Sequence, residues 1–108
     1  MSALTLNREM TEDQLLTAIT EALTLYGWRW VHFRRSDKAQ MMGHAGFPDI
    51  CAARDGMTRY LELKSHQGQV SDDQHAWLKA IDPFYGSRGS GVWVIRPRDL
   101  DWLLETLR

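Results

Sequence analysis

Apolar positions recur along this chain at two spacings, and the switches between them lay out the elements. After Thr11-Glu12-Asp13-Gln14, which has the spacing of a capping box, comes a helical period. Leu15, Leu16, Ile19, Ala22, Leu23 and Tyr26 share an arc of about 120° at about 100° per residue. This predicts an amphipathic helix over residues 11–26, stopped by Gly27. Trp28-Arg29-Trp30-Val31-His32-Phe33 then reads as a strand from its aromatic and β-branched content. Residues 34–46 show neither period, contain Gly43 and Gly46, and read as a long loop.

Pro48 to Arg54 and Met57 to Lys64 are strand-like runs on either side of Asp55-Gly56, a strong short-range hairpin signal. Ser71-Asp72-Asp73-Gln74 repeats the capping-box pattern and opens a helix to about Ile81. Val92-Trp93-Val94-Ile95 follows a Gly/Ser-rich turn as a short buried strand. Leu100, Leu103, Leu104 and Leu107 place a helix in residues 97–107. The predicted class is α/β in the order α-β-β-β-α-β-α: a mixed four-stranded sheet flanked by helices, with a right-handed crossover into the last strand.

Composition narrows the class. A chain of 108 residues that is 44% hydrophobic supports one domain with an ordinary core, and residues 1–108 read as a single unit. No apolar run approaches a membrane span, and the first residues lack the basic-then-apolar pattern of a secretory signal. A cytoplasmic location with no membrane partner is therefore expected. The single cysteine, Cys51, excludes a disulfide framework and a multi-cysteine zinc site. With 13 basic and 14 acidic residues, the chain lacks the basic excess of a dedicated nucleic-acid binder. Basic charge is nevertheless concentrated locally, in His32 to Lys38.

The hairpin carries the candidate chemistry. With a two-residue turn, Arg54 faces Met57, and the same register sets Asp49 opposite Glu62. Facing residues have Cβ atoms about 5 Å apart, where like charges repel. Lys64, two residues past Glu62, shares its face. A hairpin selected only for stability avoids this pair, whereas one that binds a divalent cation needs it, because Mg²⁺ and Mn²⁺ prefer carboxylate oxygens. The competing reading has both acids facing solvent, paired by Lys64 and Arg59.

Two further polar residues interrupt apolar stripes. Glu12 lies within about 40° of Leu16, Ile19 and Leu23 around the first helix. Gln74 sits at helical spacing before Trp77, Leu78 and Ile81. Each is expected to project toward the sheet from its helix's first turn. Simpler explanations also exist: an acid in the first turn complements the helix dipole, and Gln74 completes a capping box with Ser71.

Gly46-Phe47-Pro48-Asp49, Glu62-Leu63-Lys64 and the helix opening Ser71-Asp72-Asp73-Gln74 together resemble the PD-(D/E)XK nuclease superfamily. They resemble most its VRR-NUC group, whose members read G-x-P-D, E-x-K and S-x-x-Q; the Thr11-Glu12 helix is similar to that group's N-terminal acidic motif. The resemblance spans about residues 11–96, leaving the terminal helix of 97–107 beyond it, and is to the standalone form found in phages and mobile elements. It implies a restriction-endonuclease-like core and a metal-dependent DNA endonuclease, structure-selective for branched DNA such as junctions or flaps, acting in the cytoplasm (the host's, for a phage protein). In that role Asp49, Glu62 and the Leu63 backbone carbonyl hold Mg²⁺ or Mn²⁺, and Glu12 ligates it directly or through water. Lys64 orients or deprotonates the attacking water or stabilises charge at phosphorus, and Gln74 positions Lys64 or the water. No small organic cofactor is implied. The alternative on the same fold is a non-cleaving or regulatory module that binds branched DNA.

Arg34, Arg35 and Lys38 enter the loop that ends at Pro48-Asp49, where they can bring positive charge to phosphates. Met41, Met42 and His44 can touch bases or a partner subunit, and His66 and Gln69 lie at the expected rim. The four histidines have no tight ligand spacing and read as ordinary residues. Trp102 falls off the leucine stripe of the last helix and is expected to be exposed, as at an interface. With the dimeric habit of the junction-cleaving enzymes that the standalone members resemble, this predicts a homodimer.

Overall fold

A computed structural model describes residues 10–33 and 42–108. Helix α1 (Glu12–Leu25) starts at the Thr11 capping box and leads into strand β1 (Arg29–His32). The hairpin follows as β2 (Ile50–Arg54) and β3 (Met57–Leu63). Helix α2 (Asp72–Ile81), strand β4 (Val92–Ile95), a 3₁₀ turn (Pro97–Asp99) and helix α3 (Leu100–Leu107) complete the order. The elements therefore form an α/β fold with one mixed four-stranded sheet and three helices.

The strands lie in the order β1-β2-β3-β4, antiparallel for the first two pairs and parallel for β3 with β4. The parallel pair is bridged by α2, as the helical segment between two strand patterns predicts. At the hairpin turn Asp55 has φ +52° and Gly56 φ +80°, the positive values that a type I′ turn requires at both central positions. Arg54 consequently faces Met57, and the register runs without a slip to Ile50 opposite Leu61.

Alternation then assigns the faces. Ile50, Ala52, Leu61, Leu63, Trp93 and Ile95 point to one side, where they form the core with Leu15, Ile19 and Leu23 of α1 and Leu100, Leu103 and Leu107 of α3. Asp49 and Glu62 are out of phase with those residues and fall on the opposite side. The twelve largest fully buried side chains include Glu62, the one charged group among them.

Two expectations are corrected. Glu12 is exposed rather than directed onto the sheet. Glu12 is in the first turn of α1, whose buried stripe begins at Leu15, while Met10 before the helix packs against the core. Trp102 is half-buried rather than exposed. Its ring meets Trp93 edge-on at 4.9 Å between centroids, and the Arg88 guanidinium lies 4.7 Å over it. A residue off the leucine stripe still finds cover here, because Trp93 of β4 offers an aromatic surface beside α3.

Candidate functional site

Strand β2 begins immediately after Asp49, and the backbone on both sides of that residue is fixed. The Phe33 N–H donates to the Asp49 carbonyl at 2.9 Å, which continues the β1–β2 pairing by one rung. Before it, Gly46 has φ +96°, and a Cβ there would lie 2.6 Å from the Asp73 carbonyl carbon. Only glycine lets the loop pass this close to the first turn of α2. Phe47 then meets Phe33, Tyr60 and Trp77 edge-on, at 5.1, 6.1 and 4.9 Å between centroids. Trp77 also donates from Nε1 to the His44 carbonyl at 3.1 Å. These contacts clamp residues 44–47 against α2 and the sheet and so aim Asp49.

The Asp49 side chain turns toward β3, where its Oδ2 accepts the Leu63 N–H at 2.7 Å. In an extended strand a residue's N–H and C=O point the same way. The Lys64 N–H goes to Ile95 of β4, so the Leu63 peptide groups point the other way, toward Asp49. The register therefore brings the Leu63 carbonyl to the same place as the Asp49 carboxylate.

Glu62 and Lys64 complete the cluster. Lys64 Nζ lies 3.4 Å from Glu62 Oε2. Residue exposures are 0% for Glu62 and 7% for both Asp49 and Lys64. The sheet thus buries two carboxylates and one ammonium at one end of the central β2–β3 pair, with a formal sum of minus one. The reading in which both acids face solvent with Lys64 and Arg59 is overturned. Arg59 is on the core face, where its guanidinium lies 5.7 Å from both the Trp28 and the Trp93 ring centroids.

Gln74 is buried, as its position in the helix predicts. Its Oε1 accepts the Ser71 N–H at 2.9 Å, and Ser71 Oγ accepts the Gln74 N–H at 3.1 Å. The capping explanation is therefore realised, and it leaves the carboxamide nitrogen outside the cap. Among the described residues, no three His, Cys, Asp or Glu side chains form a group that could hold a metal. Glu12 does not join Asp49 and Glu62 in one. His44 and His66 are exposed, with His66 Nδ1 3.5 Å from Arg98 Nη1. Arg34, Arg35, Lys38 and Met41 lie outside the described residues.

Cys51, beside Tyr60, also lies on this sheet face. Burial pushes the Cys51 thiol up, partly offset by its hydrogen bond with Tyr60; burial followed by the proximity of Cys51 pushes the Tyr60 phenol up. Both are protonated at neutral pH and add no charge to the cluster. Sequence reasoning missed two contributors: the aromatic clamp of Phe47 and Trp77, and Arg96, which holds the turn after Lys64. The run of aromatics around the loop was a legible signal for the first. Nothing local marks Arg96.

Fold and site define an α/β domain whose central hairpin buries two acids and a lysine at one end of a mixed sheet. Compared with known proteins, the chain matches no family model, no curated protein and no solved structure.

Proposed function

We propose that this protein is a metal-dependent DNA endonuclease of the PD-(D/E)XK type, resembling the VRR-NUC group and hydrolysing phosphodiester bonds in duplex or branched DNA. The observation that carries the reading is the joint burial of Asp49 on one arm of the hairpin and Glu62 and Lys64 on the other. Burying an ion costs several kcal/mol, and an apolar replacement of similar volume is often as stable or more so. Two acids and an ammonium held together in a sheet are therefore better explained by chemistry than by stability.

The donor set suits a hard divalent cation such as Mg²⁺ or Mn²⁺, which takes carboxylate and carbonyl oxygens. Asp49, Glu62 and the Leu63 carbonyl would hold it. When bound, the cation supplies Lewis acidity toward the scissile phosphate and toward water. Asp49 keeps its aim through the Leu63 N–H, which fixes the carboxylate beside the Leu63 peptide. Lys64 Nζ, beside Glu62, can orient or deprotonate the incoming water or balance charge growing at phosphorus. Gln74, buried in the first turn of α2, can orient Lys64 or the water with its amide nitrogen.

The proposal includes a structure-selective substrate, a homodimer and a cytoplasmic location; no helix of the described residues is long and apolar enough to cross a membrane. The test is a panel of four-way junctions, flaps, splayed arms and linear duplexes incubated with Mg²⁺ and with Mn²⁺. Cleavage that EDTA stops and Lys64→Ala abolishes in a folded protein supports the reading. Metal-dependent binding without product would favour the non-cleaving module, and activity surviving Lys64→Ala would refute the assignment.

A further inference from the structure

We infer that Arg96 is a positioning residue for Lys64, acting through the turn of residues 65–68. The inference deepens the nuclease reading and rests on it for its catalytic consequence. Lys64 ends the paired part of β3, its N–H donating to the Ile95 carbonyl at 3.0 Å. The next residue of β4's extension, Arg96, reaches back across that bond. Its Nη1 donates to the Ser65 carbonyl at 2.8 Å and to the Gly68 carbonyl at 2.6 Å, with the His66 carbonyl at 3.5 Å. One guanidinium nitrogen therefore closes both ends of the turn that follows the lysine.

The turn is built to lie on the lysine's stem. The Gly68 N–H donates to Ser65 Oγ at 3.0 Å, which draws residue 68 back over residue 65. A Cβ on Gly68 would sit 3.6 Å from Lys64 Cδ, so the Gly68 backbone covers the aliphatic part of the side chain. Lys64 is a long, flexible chain, and its ammonium stays beside Glu62 only if that stem is confined. Arg96 is itself held: its N–H donates to Asp99 Oδ2 at 2.9 Å, at the start of the 3₁₀ turn. Its side-chain partners among the described residues are carbonyl oxygens, so its charge is directed at the turn and not spent on a carboxylate.

The test reads Lys64 directly. The intact protein is labelled with trace acetic anhydride, and the acetylation rate of each lysine is followed by mass spectrometry, with the exposed Lys79 as internal control. Arg96→Gln is expected to raise the Lys64 rate about tenfold, as local opening becomes easier without the charge-assisted bonds, with Lys79 unchanged. Arg96→Lys, which keeps the charge but loses the planar fork that serves both carbonyls, is expected to give an intermediate Lys64 rate, about threefold above wild type, and it carries the comparison if Arg96→Gln does not fold. On DNA with Mn²⁺, Arg96→Gln is expected to lower kcat about 10- to 100-fold with KM within about twofold, the signature of a misplaced group rather than lost binding. Lys64 labelling equal to wild type in both variants would overturn the inference, whatever the DNA assay gives. Increased Lys64 labelling in Arg96→Gln, together with a wild-type protein that cuts no DNA, supports the brace and removes the nuclease reading instead.

Discussion

Replacing Lys64 by Met removes the ammonium while keeping the stem that Gly68 covers. At 3.4 Å from Glu62 Oε2, the Lys64 charge interacts by about 5 kcal/mol at an effective dielectric of about 20. Some of that is regained by water entering around Glu62, so the loss expected for breaking a buried pair is about 3 kcal/mol. Urea unfolding at pH 7 should show a midpoint lowered by about 1.5–2 M for an m of about 1.5–2 kcal/mol/M. Adding Glu62→Gln to the variant removes the buried carboxylate charge that Lys64 balanced and should recover about 2 kcal/mol, a coupling that a double-mutant cycle reads directly. Divalent cation supplies the second arm. Mn²⁺ at 100 times its Kd should add about 2.7 kcal/mol to the wild type. The gain should be larger in Lys64→Met, where no ammonium competes for Glu62, and absent in Glu62→Gln. A Lys64→Met protein within about 0.5 kcal/mol of wild type would mean that the pair behaves as a solvated surface bridge. Burial would then not set the energetics of this pair, and the case for a site built at a cost to stability would fall.

Four further outcomes follow from the same geometry. Gly46→Ala should lower Tm by roughly 10–20 °C, about 2–3 kcal/mol for a domain this size, because its Cβ would strike Asp73; Gly56→Ala, with positive φ but nothing within 4 Å, should lose only about 1 kcal/mol. Glu12→Gln should leave the Mn²⁺ stabilisation measured by thermal melting closer to wild type than Glu62→Gln does, since Glu12 is exposed and apart from the pair. The Asp82 carboxyl is held below its ordinary 3.8 by the Ser90 hydroxyl and the Phe84 N–H, so its contribution is present above the unfolded value and lost as pH falls through the folded one. The stability gap between wild type and Asp82→Asn should therefore be widest near neutrality and close below about pH 4 in denaturant titrations. Trp102→Ala should cost about 2–4 kcal/mol by calorimetry, because the ring packs on Trp93.

Where geometry is set by neighbours a few residues apart, the sequence was a sufficient guide. Asp55-Gly56 dictates a two-residue turn, the turn dictates the register, and the register alone places Asp49 across from Glu62 and on the face opposite Leu61 and Leu63. The two capping boxes were legible for the same reason, since each closes within three residues. Failures came where the answer depended on how far a distant element reaches. Angular position on α1 put Glu12 among apolar residues, but angle alone does not say which side chains of that arc the core covers, and Glu12 is exposed. Trp102 was misjudged because its partner, Trp93, is on another element. Arg96 was invisible because its acceptors are carbonyls of a turn some thirty residues earlier, and carbonyls leave no trace in a sequence.

The parity of the hairpin gives the site its strictest constraint. A strand's side chains alternate, so inserting or deleting one residue between Asp49 and Glu62 would send one of the acids into the leucine core. The same alternation that buries Leu61 and Leu63 against α1 and α3 delivers Glu62 and Lys64 to the other side. Core and site are thus two faces of one pattern, and neither register can change alone. Selection for stability fixes only the core half, and would accept apolar or neutral residues on the other. That the other half holds opposed carboxylates with a lysine, covered by α2 and a loop whose glycine admits no side chain, is what the core does not explain. The proposed cation accounts for it, because it turns the repulsion between the facing acids into the reason for their placement.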